Sequence, residues 1–280
     1  KAGLSDRGHR DRQYKDLDGT GSGAGRIFGS SASYGTQFFV INTGFSCGTD
    51  KICVMITVMK TGAKRKLEIK TWEIKTDRLK RTDGSLRIVF LADLHDRLWG
   101  EGQEQLLEAI DSLKADLILG AGDMLVAKND VRYQEALDFV SRLPQLCPVY
   151  YASGNHEQRI KENPENYSLC YEEYRKKLQA EGVRFLENES CDILLGNQQI
   201  HISGLELPLI VNKKFRKADV TSENVGKCLG ENHTTGNQEK QQETTENFAD
   251  NSYYILLAHN PSYMEAYKEW GADLILSGHL

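Results

Sequence analysis

Five times in this chain an apolar run of strand length ends in Asp, Asn or His, mostly beside a glycine. Arg87–Ala92 runs into Asp93-Leu94-His95, and Leu117–Ala121 into Gly122-Asp123. Val149–Ser153 runs into Gly154-Asn155-His156-Glu157, Tyr254–Ala258 into His259-Asn260-Pro261, and Leu274–Ser277 into Gly278-His279. In open α/β sheets the carboxyl ends of strands line the crevice where ligands bind. Side chains as distant in sequence as His95 and His259 are thereby expected to converge. Each ending has an ordinary reading when taken singly. Gly-Asp is a common turn, Gly-Asn-His can cap a helix, and a lone histidine after a strand is usually just hydrogen-bonded. All five together, each at a strand end, point to a site.

The surrounding pattern fits a layered α/β fold. Strand signals span Leu67–Ile74, Arg87–Ala92, Leu117–Ala121, Val149–Ala152, Val183–Leu186, Cys191–Leu195, Gln199–Ser203, Tyr253–Ala258 and Leu274–Ser277. Helical spacing occurs at about 101–113, 131–143 and 165–181. Tyr167, Tyr171 and Tyr174 of the last segment are read as core packing. Residues 1–36 are rich in Gly, Ser, Arg and Asp, without period, and are expected to be poorly ordered. The apolar patches Phe38–Ile41 and Ile52–Ile56 read either as strands or as the remnant of a membrane anchor. Regularity starts near Lys66. Residues 1–65 therefore stand as an unassigned N-terminal region and 66–280 as the domain, one expected to fold without residues 1–62. The polar tract Glu231–Glu246 reads as a surface loop.

Composition narrows the function classes. At 280 residues, 39% hydrophobic and 27% charged, the chain has an ordinary soluble composition. No run of eighteen apolar residues forms a transmembrane span. A net charge of −5 speaks against binding nucleic acid by phosphate neutralisation. The six cysteines form no C-x-x-C pair and read as reduced thiols in a reducing compartment. No apolar h-region appears in the first thirty-five residues, so no signal peptide is expected. The expectation is a cytoplasmic monomer, with membrane association left open.

The ordered series Asp93-x-His95, Gly122-Asp123, Gly154-Asn155-His156-Glu157, His259 and Gly278-His279 resembles the calcineurin-like metallophosphoesterase superfamily. The strand before Asp-Leu-His and the ending Leu-Leu-Ala-His-Asn-Pro…Leu-Ile-Leu-Ser-Gly-His resemble its bacterial phosphodiesterase-like branch. The likeness covers roughly residues 66–280. It implies an α/β fold, a two-sheet β-sandwich flanked by helices. The family motif Gly-His-x-His is met at three of four positions by Gly278-His279-Leu280. The domain is therefore expected to be truncated at its C-terminus, with one metal site a ligand short unless a group such as His201 replaces it.

The residues themselves support that chemistry. Imidazole, carboxylate and amide without thiolate suit divalent Mn, Fe, Zn or Co better than structural zinc. Two cations about 3.5–4 Å apart need a bridging carboxylate, and Asp123 is the natural bridge. Asp93 and His95 point to one cation. Asn155 and His259 point to the other, joined by His279 as the resemblance implies. Such a centre hydrolyses phosphate esters by lowering the pKa of a bridging water from about 15.7 to about 7. His156 follows a ligand directly and is assigned as general acid. Glu157 is read as orienting a neighbour or capping the next helix, and Asp96 as a loop residue near the mouth. The expected substrate is a small-molecule or lipid-linked phosphodiester. Lys213, Lys214, Arg216 and Lys217 are either a solvated face or a phosphate contact at the mouth. Alternatives are a phosphomonoesterase or phosphoprotein phosphatase, a nuclease, and a non-catalytic metal-binding scaffold.

Overall fold

The computed structural model describes residues 26–28, 39–42, 50–60, 66–79, 85–129, 133–212, 219–230 and 252–279. The basic group Lys213–Lys217 and the tract Glu231–Glu246 lie outside them. Two six-stranded sheets face each other. The first runs in the order β4 (Lys66–Thr76), β3 (Asp50–Lys60), β5 (Ser85–Leu91), β6 (Leu117–Ala121), β7 (Val149–Ala152), β8 (Val183–Phe185). From β3 to β8 its pairs are parallel, and β4 is antiparallel to β3. The second runs β1 (Arg26–Phe28), β2 (Phe39–Asn42), β12 (Leu274–Ser277), β11 (Tyr253–Ala258), β10 (Gln198–Leu205), β9 (Glu189–Leu195). In it β10, β11 and β12 are parallel.

Strand alternation builds three apolar layers. Ile88 and Phe90 of β5 point inward with Leu117 and Leu119 of β6, meeting Ile255, Leu257, Leu274 and Leu276 from the facing sheet. Val89, Leu91 and Ile118 point outward. They are covered by α1 (Glu104–Ser112), α2 (Tyr133–Arg142) and α4 (Tyr171–Ala180), which contribute Leu106, Ile110, Phe139, Val140 and Leu178. Over the other sheet, α5 (Ser222–Leu229) and α6 (Met264–Trp270) seat Val225, Tyr267 and Trp270 on Leu256 and Ile275. The architecture is therefore the expected two-sheet sandwich between helical layers. Strands β6, β7, β11 and β12, and β5 from Ile88 onward, are buried on both faces, which is why they read as apolar runs.

Tyr171 and Tyr174 pack in the core as expected. Part of the stretch before Lys66 belongs to the sheets. β2 pairs with β12, and β3 lies between β4 and β5, in register from Lys51–Ser85 to Ile56–Phe90. These apolar patches are strands, and among the described residues no helix is long and apolar enough to cross a membrane. Three helices escaped the periodicity: α5, α6 and the polar α3 (Asn155–Glu162), of which only the capping role of Gly154-Asn155 and Glu157 was foreseen.

Candidate metal centre

The five strand ends meet at one edge of the sandwich. Past three of them, β5, β6 and β12, the chain turns sharply: Asp93, His95, Asp96, Asp123 and His279 all have positive φ, between 53° and 62°. Non-glycine residues adopt this left-handed conformation at a cost of about 1–3 kcal/mol each, and such residues cluster at functional sites. The loops after β5 and β6 are zipped together by backbone bonds: Asp93 N–H to Gly122 O, 3.0 Å, and His95 N–H to Asp123 O, 2.9 Å. The glycines of the motifs make room for the carboxylates. A Cβ on Gly154 would lie 2.3 Å from Asp123 Oδ1, and one on Gly278 would lie 2.4 Å from Asp93 Oδ2.

Asp123 stands at the centre. Its Oδ1 accepts from the backbone N–H of His156 at 2.8 Å. Its Oδ2 faces three imidazoles: His95 Nε2 at 3.2 Å, His259 Nε2 at 3.2 Å and His156 Nε2 at 3.9 Å. Two clusters of potential ligand atoms result, His95–Asp123–His156 and Asp123–His259–His279, and Asp123 belongs to both. Asp93 approaches the first through Oδ1, 3.7 Å from His95 Nε2, while its Oδ2 accepts from His279 N–H at 3.0 Å. Asn155 reaches the second through Oδ1, 3.2 Å from His259 Nε2. All six expected ligands and His156 are thus brought together. His201 is not: it pairs across strands with Asp192 at 2.9 Å.

The electrostatics call for cations. His259 donates from Nδ1 to Ala121 O at 2.6 Å, so in the neutral ring Nε2 carries a lone pair toward Asp123 Oδ2 and Asn155 Oδ1. Three acceptors then face one another, and only a proton or a metal ion between them resolves the conflict. Burial pushes the Asp123 carboxyl upward, but His259 and His95 hold it well below the usual range. Burial and then Asp123 act oppositely on His259, and the carboxylate prevails, lifting it to about 10. The donor set of nitrogen and oxygen without sulfur fits a borderline or hard divalent ion.

Glu157 and Ala127 support this cluster. The buried Glu157 carboxylate accepts from the N–H groups of Asp123 (2.8 Å), Gly154 (3.1 Å) and Leu125 (3.2 Å) and from Tyr151 OH (2.7 Å). It therefore caps α3 and clamps the β6 loop, a more specific duty than its position alone revealed. His156 Nδ1 accepts from Ala127 N–H at 2.9 Å, leaving Nε2 to hold the ring proton. The ring is neutral in this arrangement, with burial, ahead of Asp123's opposing attraction, lowering its pKa to about 4. Protonating the ring at Nδ1 would break the Ala127 bond. Asp96, read as a loop residue, accepts from Val126 N–H at 3.1 Å and steadies the same loop.

The profile of the calcineurin-like phosphoesterase family matches residues 86–280, the segment carrying every side chain of this cluster. The chain belongs to that family. Among curated proteins it is similar to the uncharacterized metallophosphoesterase YkoQ of Bacillus subtilis (strain 168), 24% identical over 197 residues, 69% of this chain and 60% of that protein. It is likewise similar to phosphodiesterase YaeI of Escherichia coli (strain K12), 24% identical over 196 residues, 69% of this chain and 59% of the relative. The chain therefore spans about three-fifths of the length of each.

Proposed function

We propose that this chain hydrolyses phosphate esters, phosphodiesters foremost, at a centre of two divalent cations. The observation that carries the reading is Asp123 Oδ2, one carboxylate oxygen shared by two clusters of ligand atoms. Asp93 and His95 would hold one cation, Asn155, His259 and His279 the other, with Asp123 common to both. Bound there, divalent cations polarise the phosphate and activate water for in-line attack.

The protein's own groups do the rest. Glu157 fixes Asp123 and Asn155 relative to each other through the backbone. Ala121 O sets the His259 tautomer that exposes Nε2. His156 Nε2–H donates a hydrogen bond to the leaving oxygen as negative charge builds there. A cleft beside Asn155 and His259 is lined by Gln158, Leu205, Glu206 and Leu207. A relative named a phosphodiesterase supports the choice of a diester. The acidic chain disfavours a nucleic acid, which leaves a small-molecule or lipid-linked substrate. The test is metal content measured alongside turnover of bis-p-nitrophenyl phosphate. Hydrolysis that is abolished by chelation and restored by Mn²⁺ is expected, whereas metal binding without turnover would mark a scaffold.

A further inference from the structure

We propose that Arg159 grips a non-bridging oxygen of the substrate's phosphate, setting the site's affinity for the anion; this rests on the phosphoesterase reading above. Arg159 lies on α3 three residues after His156 and four after Asn155, so all three share one helix face. It is half-buried, yet no carboxylate or carbonyl among the described residues holds its guanidinium. Lys161, on the same helix, is committed to Glu187 and Glu206.

Side chains of a helix lean toward its N-terminus, so Arg159 reaches back toward Asn155 and His156 at the start of α3. His156 lies edge-on against His95 and His279 against His259, each at 5.1 Å between centroids. The floor is made of buried Asp93, Asp123, Asn155 and His259, while His95, His156, His279 and Arg159 form the more exposed rim. An unpaired guanidinium beside a centre that collects cations is repelled unless an anion sits between them. A phosphate there satisfies the metals from one side and the planar guanidinium fork from the other.

The experiment uses the Mn²⁺-loaded full chain and compares wild type with Arg159→Ala and Arg159→Lys. Arg159→Ala should raise KM for bis-p-nitrophenyl phosphate about 10- to 100-fold, the weight of a charge-assisted contact, with metal content and thermal stability unchanged. Arg159→Lys, keeping the charge without the fork, should fall between the two. Calorimetric titration with inorganic phosphate supplies a readout that needs no turnover, and the Ala variant should bind it weaker by the same factor. Arg159-dependent phosphate binding without hydrolysis would sink the proposed activity and leave this inference standing. Phosphate affinity and KM unchanged in Arg159→Ala would overturn the inference alone, as would loss of metal or fold in that variant. A wild type that neither binds phosphate nor turns over would overturn both.

Discussion

His259, one of the proposed ligands, has its charge state set by its neighbours. In the metal-free protein Asp123 raises its pKa to about 10 against the effect of burial. The folded pKa lies above the unfolded value of about 6.5, so the ring's contribution to stability is complete below that pH and is lost as pH rises toward 10. A cation at Nε2 must displace the same proton. Apparent Mn²⁺ affinity is therefore expected to climb between pH 6.5 and 10, and a flat affinity profile from titration across that range would remove His259 from the ligand set. His156 makes a different prediction. His156→Ala should lose on the order of 10²–10³ in rate, more on a poor leaving group than on a nitrophenyl ester. Because the ring is neutral, the loss should be equal at pH 6 and pH 8; a loss that shrinks as pH rises would restore the imidazolium acid. Glu157→Ala strands four donors in the interior and should cost on the order of 3 kcal/mol in denaturant unfolding.

Among the elements, legibility followed burial. β6, β7, β11 and β12, and β5 from Ile88 onward, could be read because both faces are covered. α3 could not, since four of its residues are buried and only Ile160 among them is apolar; its polar interior faces serve the site. The candidate ligands were visible from their strand-end positions. The left-handed turns that aim them, and the Ala127 bond that fixes the His156 tautomer, depend on tertiary contacts no local pattern records. β3 could be read only as a strand or an anchor remnant, because its partners β4 and β5 fix it by long-range pairing. Removing residues 1–62 takes away β2 and β3 together and bares the edge of β5. That truncation is expected to aggregate or to lose its cooperative melt, reversing the expectation that the pattern from Lys66 suffices; a soluble, sharply melting product would show the N-terminal strands to be dispensable. Gly154→Ala, whose methyl has no room beside Asp123, should weaken metal binding while leaving most helicity intact by circular dichroism.

At the scale of the molecule, two sheets bring five strand ends to one edge, and no single segment holds more than a fraction of the site. Layered α/β architecture was legible from alternating strand and helix signals, whereas the order of strands within each sheet was not, because parallel pairing leaves no turn signature in the sequence. The site converges on one atom, Asp123 Oδ2, which faces His95 and His259 at the same 3.2 Å. The direct test is Mn²⁺ stoichiometry of wild type and Asp123→Asn after identical dialysis, read by elemental analysis. Two ions per wild-type chain and the loss of both in the variant are predicted; a variant that still holds two ions would contradict the shared carboxylate at the centre of the proposal.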